Sequence, residues 1–376
     1  MRKLSLIVLL SALVALLAYR GYQAVEQRRQ LEPEIAYARK MLSIPVQEDN
    51  AGFPLAVAMQ PYRQMLLNGD YAALESAHDR LMESREALAD GRLMLEAYYA
   101  GITTCWLINC PDKQAPEQDW TQMRDALDQW SANGSPLGQL ARASFQMSYA
   151  WRIRGTKLAP RTPRDQLESF QQLIVEAEGM FAELPVQSQD YLLYPITLIN
   201  LSKAGKRWTH ADGIAAFEKA RAANPWYFPL YPARGALSTE KWGGAEGEHA
   251  AYLEQEIARS VDETLTATLY ARLSIANETL LDREQMQTNW VRFQASLKRF
   301  TETYPDQWNI NQYAYYTCFV GDPEPLLGLL ERIDLVIVPV WRKLEYFHAC
   351  RDHMLKKRVS AEAIAIANEQ IAKEES

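Results

Sequence analysis

The chain has 376 residues, 48% of them apolar, and 40 Lys and Arg against 47 Asp and Glu give a net charge of −7. A chain of that length and composition can bury a large core or a run of smaller ones, so disorder is not expected. Its basic residues are scattered among acids without a long basic stripe, which argues against a nucleic-acid partner held through its phosphates.

The first twenty residues, MRKLSLIVLLSALVALLAYR, read as an export signal. Arg2 and Lys3 precede an apolar run over residues 4–18 that only Ser5 and Ser11 interrupt. Cleavage after Ala18 or Ala24 would leave Leu16 or Tyr22 at the third residue upstream, where a small side chain is wanted. An uncleaved anchor crossing the membrane through residues 4–19 is therefore expected, with release after cleavage as the alternative. Tyr19 suits the interface and Arg20 can snorkel. The positive-inside rule then puts the bulk of the chain on the far side, although Arg20, Arg28 and Arg29 place positive charge on that flank too. No cysteine follows the run, so a lipoprotein anchor is excluded. Residues 1–30 are read as anchor and membrane-proximal segment, 31–359 as a helical-repeat domain, and 360–376 as a C-terminal helix or tail.

After the anchor the pattern is helical. YRQMLLNGDYAALESAHDRLMES, residues 62–84, breaks at Asn68-Gly69 into two short helices. CWLINCP follows, with Cys105 and Cys110 too far apart on a continuous helix to bridge, but Asn109 and Pro111 suggest a turn that could join them. Residues 164–184 carry Leu167, Phe170, Leu173, Ile174, Ala177, Phe181 and Leu184 at three-and-four spacing, one buried stripe. Over residues 212–224 the stripe is Ile214, Phe217 and Ala220, flanked by Ala216 and Ala223, small enough to let helices approach closely. Trp242-Gly243-Gly244 falls between two such patterns and reads as an inter-helix turn whose corner the indole fills. Glu246 and Glu248 in the next first turn would repel a bound phosphate. LVIVPV, residues 335–340, is the one strand-like run, and Pro339 demotes it to a loop or helix start.

Gly69, Gly155, Gly205 and Gly321 each close an apolar-periodic segment, where a left-handed cap wants no Cβ. Pro185, Pro225 and Pro305 close others. These ends alternate along the chain and mark helix pairs with an uneven period of roughly 35 to 50 residues, close to tetratricopeptide arrays. The expected fold is all-α, a tetratricopeptide-like array of helix hairpins, or α-solenoid, behind the anchor. A single irregular helical domain is the plainer alternative.

AWRIRGTKLAPRTPRDQLESFQQLIVEAEGMFAEL, then KARAANPWYFPLY and KWGGAEGEHAAYLEQEIA, resembles a bacterial family known as domain of unknown function 4034, over roughly residues 60 to 265. The Trp-Arg-x-Arg-Gly and Trp-Gly-Gly elements are the most specific parts, with Glu240 and Ala245 where the family usually has a proline and a hydroxyl residue. The resemblance implies helical repeats in a bacterial protein and supplies no activity; the apolar run of residues 4–19 is what makes a single pass of the inner membrane, with the bulk of the chain in the periplasm, the expected address. Its two motifs put forward Trp151, Arg152, Arg154 and Trp242 as candidate binding residues.

Chemical signatures are weak. HACRDH gathers His348, Cys350, Asp352 and His353, all metal-capable, but on one helix they split between two faces. No HExxH, GxSxG, paired CxxC, P-loop lysine or Rossmann spacing occurs, so no cofactor is expected, and His78, His210 and His249 lack a neighbouring nucleophile. Of the three pairings that four cysteines allow, Cys105–Cys110 with Cys318–Cys350 is preferred, against four reduced thiols in a cytoplasm-facing chain. Ten Trp and nineteen Tyr invite a carbohydrate- or peptide-binding surface, though most should be packing wedges. Two functions compete: an anchored scaffold binding a protein or peptide on a concave helical face, and an envelope enzyme whose site is assembled from distant residues.

Overall fold

A computed structural model describes residues 2–49, 53–105, 116–155, 159–260, 262–277 and 283–374, with side chains from residue 16 onward except at 24 and 283–285. Among these residues the secondary structure is helical apart from one pair of two-residue strands and an isolated bridge. Helix α1 (Arg2–Leu42) is followed by β1 (Val46–Gln47), α2 (Pro54–Ala58), α3 (Gln60–Asn68), α4 (Tyr71–Ser84) and α5 (Met94–Thr103). The middle of the chain forms α6 (Glu117–Ala132), α7 (Pro136–Arg154), α8 (Arg164–Ala182), α9 (Leu193–Ala204), α10 (His210–Ala223), α11 (Leu230–Leu237), α12 (Glu248–Arg259) and α13 (Glu263–Ala276). Then come α14 (Arg283–Thr288), α15 (Trp290–Thr303), α16 (Gln307–Val320), α17 (Pro323–Leu330), β2 (Val336–Ile337), α18 (Val338–Trp341), α19 (Leu344–Arg358) and α20 (Ala361–Glu374).

The hairpins stack in two layers. Helices α5, α7, α9, α11 and α13 each pack on the next and form the inner layer, while α6, α8, α10, α12 and α15 cover them from outside. Local chemistry sets the ends. The Thr209 hydroxyl accepts from the Asp212 amide, and Asp212 accepts in return from the Thr209 amide at 2.7 Å, so α10 begins with reciprocal caps. Gly69 and Gly321 close their helices in the left-handed region. Gly205 differs: its φ of −90° is extended, not left-handed. Glycine is needed there because the Glu178 carboxylate crowds its α-carbon while accepting from the Lys206 and Arg207 amides at 2.8 and 2.7 Å. The close approach expected at α10 occurs through Gly213, which sits against Ser202 of α9.

The array closes on itself, which no pattern in the sequence announces. Helix α20 packs on α1, where Arg39 and Glu374 pair at 2.6 Å and Glu34 accepts from the Ser360 amide at 2.7 Å. Strands β1 and β2 pair in parallel, Val46 with Val336 and Gln47 with Ile337. LVIVPV is thus a short strand that becomes a helix at Val338, with Pro339 in its first turn, and β1 supplies the strand's partner from the other end of the chain. The loop between α4 and α5 reaches the far hairpins: Asp90 and Gly91 offer their carbonyls to Asn309 and Arg272 at 3.1 and 3.4 Å. Phe53 lies 4.3 Å from the Trp308 ring, and Arg92 sits 4.2 Å over Phe53.

Helix α1 runs without a break through residue 30. The side chains of residues 4–15, most of the apolar run, lie outside the described set. Among the described residues no helix is long and apolar enough to cross a membrane. Leu16, Leu17, Tyr19, Tyr22 and Val25 are exposed along α1 before it joins the body.

Candidate functional site

Two of the sequence candidates meet. Trp151, in the last turn of α7, and Trp242, at the end of the 3-10 turn Glu240–Trp242, lie edge to face with ring centroids 5.4 Å apart and planes at 87°. Helix α7 stops at Gly155, whose φ of +68° lets the chain leave while Trp151 stays against Phe170 of α8, 4.8 Å away. Trp242 is aimed by its turn. Gly243 takes φ +92° beneath the His210 ring, and Gly244 lies so close to the Ser238 backbone that a Cβ has no room. The Trp-Gly-Gly element therefore links α11 to α12 and holds its indole against α7.

Between the two indoles stands a residue that sequence reasoning passed over. Lys203, in the last turn of α9, places Nζ 5.8 Å from the Trp151 ring centroid and 5.1 Å from that of Trp242. It donates to Asn200 Oδ1 at 2.9 Å. Burial, with a smaller push from the Lys241 ammonium, brings its pKa down to about 8. Lys241 Nζ lies 5.4 Å over Trp242, and Arg154 lies 5.6 Å over Trp151 while donating to the Gly155 carbonyl at 3.0 Å. The result is a cup of two perpendicular indoles ringed by cations. Among the described residues no carboxylate pairs with Lys203 or Lys241. A lysine before Ala-Gly at a helix end is common, because ammonium groups suit the carbonyl end of a helix. Only the fold shows that two tryptophans flank this one.

Arg152 does not join the cup. It projects to the α6 side, pairs with Glu117, and lies 5.4 Å over Trp120 and 5.7 Å over Tyr149. Burial raises the Glu117 carboxyl, but hydrogen bonds from Tyr149 and Arg152 outweigh it and leave the pKa lowered. Successive side chains on a helix point about 100° apart, which sends Trp151 and Arg152 to different neighbours.

HACRDH lies within α19, and Cys350 is joined to Cys318 of α16 in a disulfide with Cα atoms 6.1 Å apart. That removes the only thiolate from His348, Asp352 and His353, and no three metal-capable residues converge among the described ones. The disulfide forms one wall of a hollow of about 410 Å³. Cys110 lies outside the described residues. Cys105 is buried, its thiol 3.1 Å from Met123 Sδ and pushed up to about 12 by burial.

A cleft of about 450 Å³ beside the Trp-Gly-Gly turn contains the one Ser–His contact worth testing as chemistry. His249 Nδ1 is 3.0 Å from both Ser238 Oγ and the Gly235 carbonyl, but the Ser238 hydroxyl donates to that carbonyl at 2.7 Å. Ser238 is fully buried at the end of α11 and its hydroxyl also contacts the Gly235 carbonyl, so the pair pins a helix end and does not present a nucleophile to the cleft. Comparison of the chain with family models, curated proteins and solved structures returned no match.

Proposed function

We propose that this chain is a membrane-anchored, envelope-facing binding module that uses its helical array as a scaffold for a protein or peptide. The observation that carries this is the Trp151–Lys203–Trp242 cup, which brings together side chains from α7, α9 and the turn after α11. Stacked hairpins bind extended partners in this way, with successive helices each contributing a side chain. The likeness to the domain of unknown function 4034 family fits a repeat array and names no ligand.

Two features favour the address. The exposed apolar and aromatic side chains of α1 from Leu16 to Val25 continue the run of residues 4–15 toward an interface. The Cys318–Cys350 disulfide belongs in an oxidising compartment. Release to the periplasm after signal cleavage would keep the same compartment. The burial of Ser238 removes the Ser238–His249 pair as support for the alternative of an envelope enzyme.

Carbonate washing of membranes and crosslinking from intact envelopes test the proposal together. Full-length chain should stay in the washed membrane and be digested by protease added from the periplasmic side. A crosslinked polypeptide should fall about tenfold, roughly 1.4 kcal/mol, in a folded Trp242→Ala variant. Complete release by carbonate overturns the anchor, and unchanged crosslinking overturns the cup as binding site.

A further inference from the structure

The cup contains an electrostatic imbalance that identifies its ligand. In a chain of net charge −7, Lys203 and Lys241 stand beside two indole rings, and no carboxylate pairs with either among the described residues. The neighbour that acts on the Lys203 charge is another ammonium. Burying an ammonium away from water is unfavourable unless it is paired, and two indole faces at 5.8 and 5.1 Å offset that cost only in part. Lys203 is only half-buried as a residue, so its side chain is not sealed from solvent.

Aromatic cages commonly receive cations. This one cannot, because its ring faces already carry the protein's own ammonium groups and a ligand cation would meet their repulsion. The missing partner is an anion. A doubly charged phosphate is usually gripped by a guanidinium fork or a nest of amides. Here Arg154 is turned to the Gly155 carbonyl and Arg152 is paired with Glu117 on another face. One desolvated ammonium, with a single N–H given to Asn200, matches one singly charged oxygen acid.

We propose that the cup binds a peptide carboxylate at Lys203 Nζ, with a flat or aliphatic neighbouring side chain laid against Trp151 and Trp242. This rests on the reading of the chain as a protein- or peptide-binding module and names the chemistry that its partner must present. Binding supplies the absent counter-charge, so the Lys203 amine becomes more basic when the site fills. The indoles read the apolar neighbour, which is why a free carboxylate such as acetate binds far more weakly than the peptide.

The test uses the full chain in detergent with its lysine side chains isotope-labelled. Three probes are compared: an acetylated and amidated peptide alternating glutamate and tyrosine, its glutamine counterpart, and inorganic phosphate. The glutamate peptide should bind at least tenfold more tightly than the glutamine peptide and shift the Lys203 titration upward. Lys203→Gln should abolish that preference, and Lys203→Arg should restore part of it. If Lys203→Gln fails to fold, the titration of the parent amine decides: no movement at saturating glutamate peptide overturns the assignment. Equal binding of both peptides overturns the carboxylate and leaves a binding module standing. Binding of phosphate in preference to the glutamate peptide overturns it as well. Capture of a crosslinked partner that is lost in Trp242→Ala but unaffected by the glutamate peptide would also count against the carboxylate alone.

Discussion

Trp151 and Trp242 touch edge to face at 5.4 Å, one at the end of α7 and the other on a turn between α11 and α12. An indole edge carries positive charge and an indole face negative charge, so this geometry is favourable beyond the area it buries. It also leaves ring faces available to cations, and Lys203 takes up that position. The contact ties together two segments that the intervening α8–α9 and α10–α11 hairpins separate.

The glycines of the turn should matter about as much as the indole. Trp242 is half-buried, so Trp242→Ala should cost about 2 kcal/mol, below the range for a fully buried ring. Gly244→Ala should cost about 1–3 kcal/mol, because the new Cβ collides with the rigid Ser238 backbone. Gly243→Val adds strain at φ +92° and contact with His210, again about 1–3 kcal/mol. Urea unfolding monitored by circular dichroism measures all three. Glycine variants as stable as the parent would mean that the turn is not held as described.

Removing the Cys318–Cys350 disulfide should loosen α16 from α19. With a sequence separation of 32, the chain-entropy account assigns it about 3–4 kcal/mol. The Cys318→Ser, Cys350→Ser double variant should melt lower than the oxidised parent, and reductant should lower only the parent. In peptide mapping after alkylation of the native, unreduced chain, Cys318 and Cys350 should remain unlabelled. Cys105 should react slowly because burial keeps its thiol protonated. Prompt labelling of Cys318 and Cys350 without reductant would remove the bond and the compartment argument built on it.

Local chemistry was legible in the sequence and long-range closure was not. The stripe from Leu167 to Phe181 announces α8, and Ile214, Phe217 and Ala220 announce α10, because helical period is a property of neighbouring residues. Gly205 shows the limit of that reasoning. It ends α9 as expected of a glycine, but its backbone is extended, and the need for glycine comes from Glu178 on another helix. Phe53 against Trp308, and Asp90 against Asn309, join opposite ends of the chain and leave no periodic trace. The cup was half legible: tryptophans in short motifs stand out, whereas Lys203 resembles any cation in a last helical turn.

Closure can be broken at one glycine. Gly91 has φ +82°, and a Cβ there would lie 2.5 Å from Tyr304 Cδ2. Gly91→Ala should therefore cost about 2 kcal/mol or more through strain and overpacking. The damage should spread to the seam: amide exchange should quicken in residues 86–93 and at the start of α16, while α8 and α10 stay protected. Uniform quickening across the chain would indicate one cooperative unit, and no quickening at α16 would mean that the seam contributes little.

His78 gives the fold a defined response to acid. It is 4% exposed, its Nε2 lies 2.9 Å from the Tyr99 hydroxyl, and Tyr98, Tyr99 and Tyr191 surround its ring. Burial lowers its pKa, and the contact with Asp79 at 3.2 Å only partly counters this. Because the folded value lies below the unfolded value of about 6.5, the unfolded chain takes up the proton first as pH falls, and stability declines below about pH 6.5. His249 and His348 are also lowered, chiefly by burial, and act with the same sign. Buried Glu96 and Glu256 have raised values and act with the opposite sign, since their protonation favours the folded chain as pH falls toward the ordinary carboxyl range. The two effects are separated by comparing the parent with His78→Gln, which keeps a polar partner for Tyr99 and cannot titrate. The parent should hold its advantage at pH 7 to 8 and lose it progressively toward pH 5, by up to about 1.4 kcal/mol for each unit of pKa depression. Urea midpoints of both proteins across that range measure the difference, and a gap that stays constant with pH would show that His78 is not the acid-sensitive group.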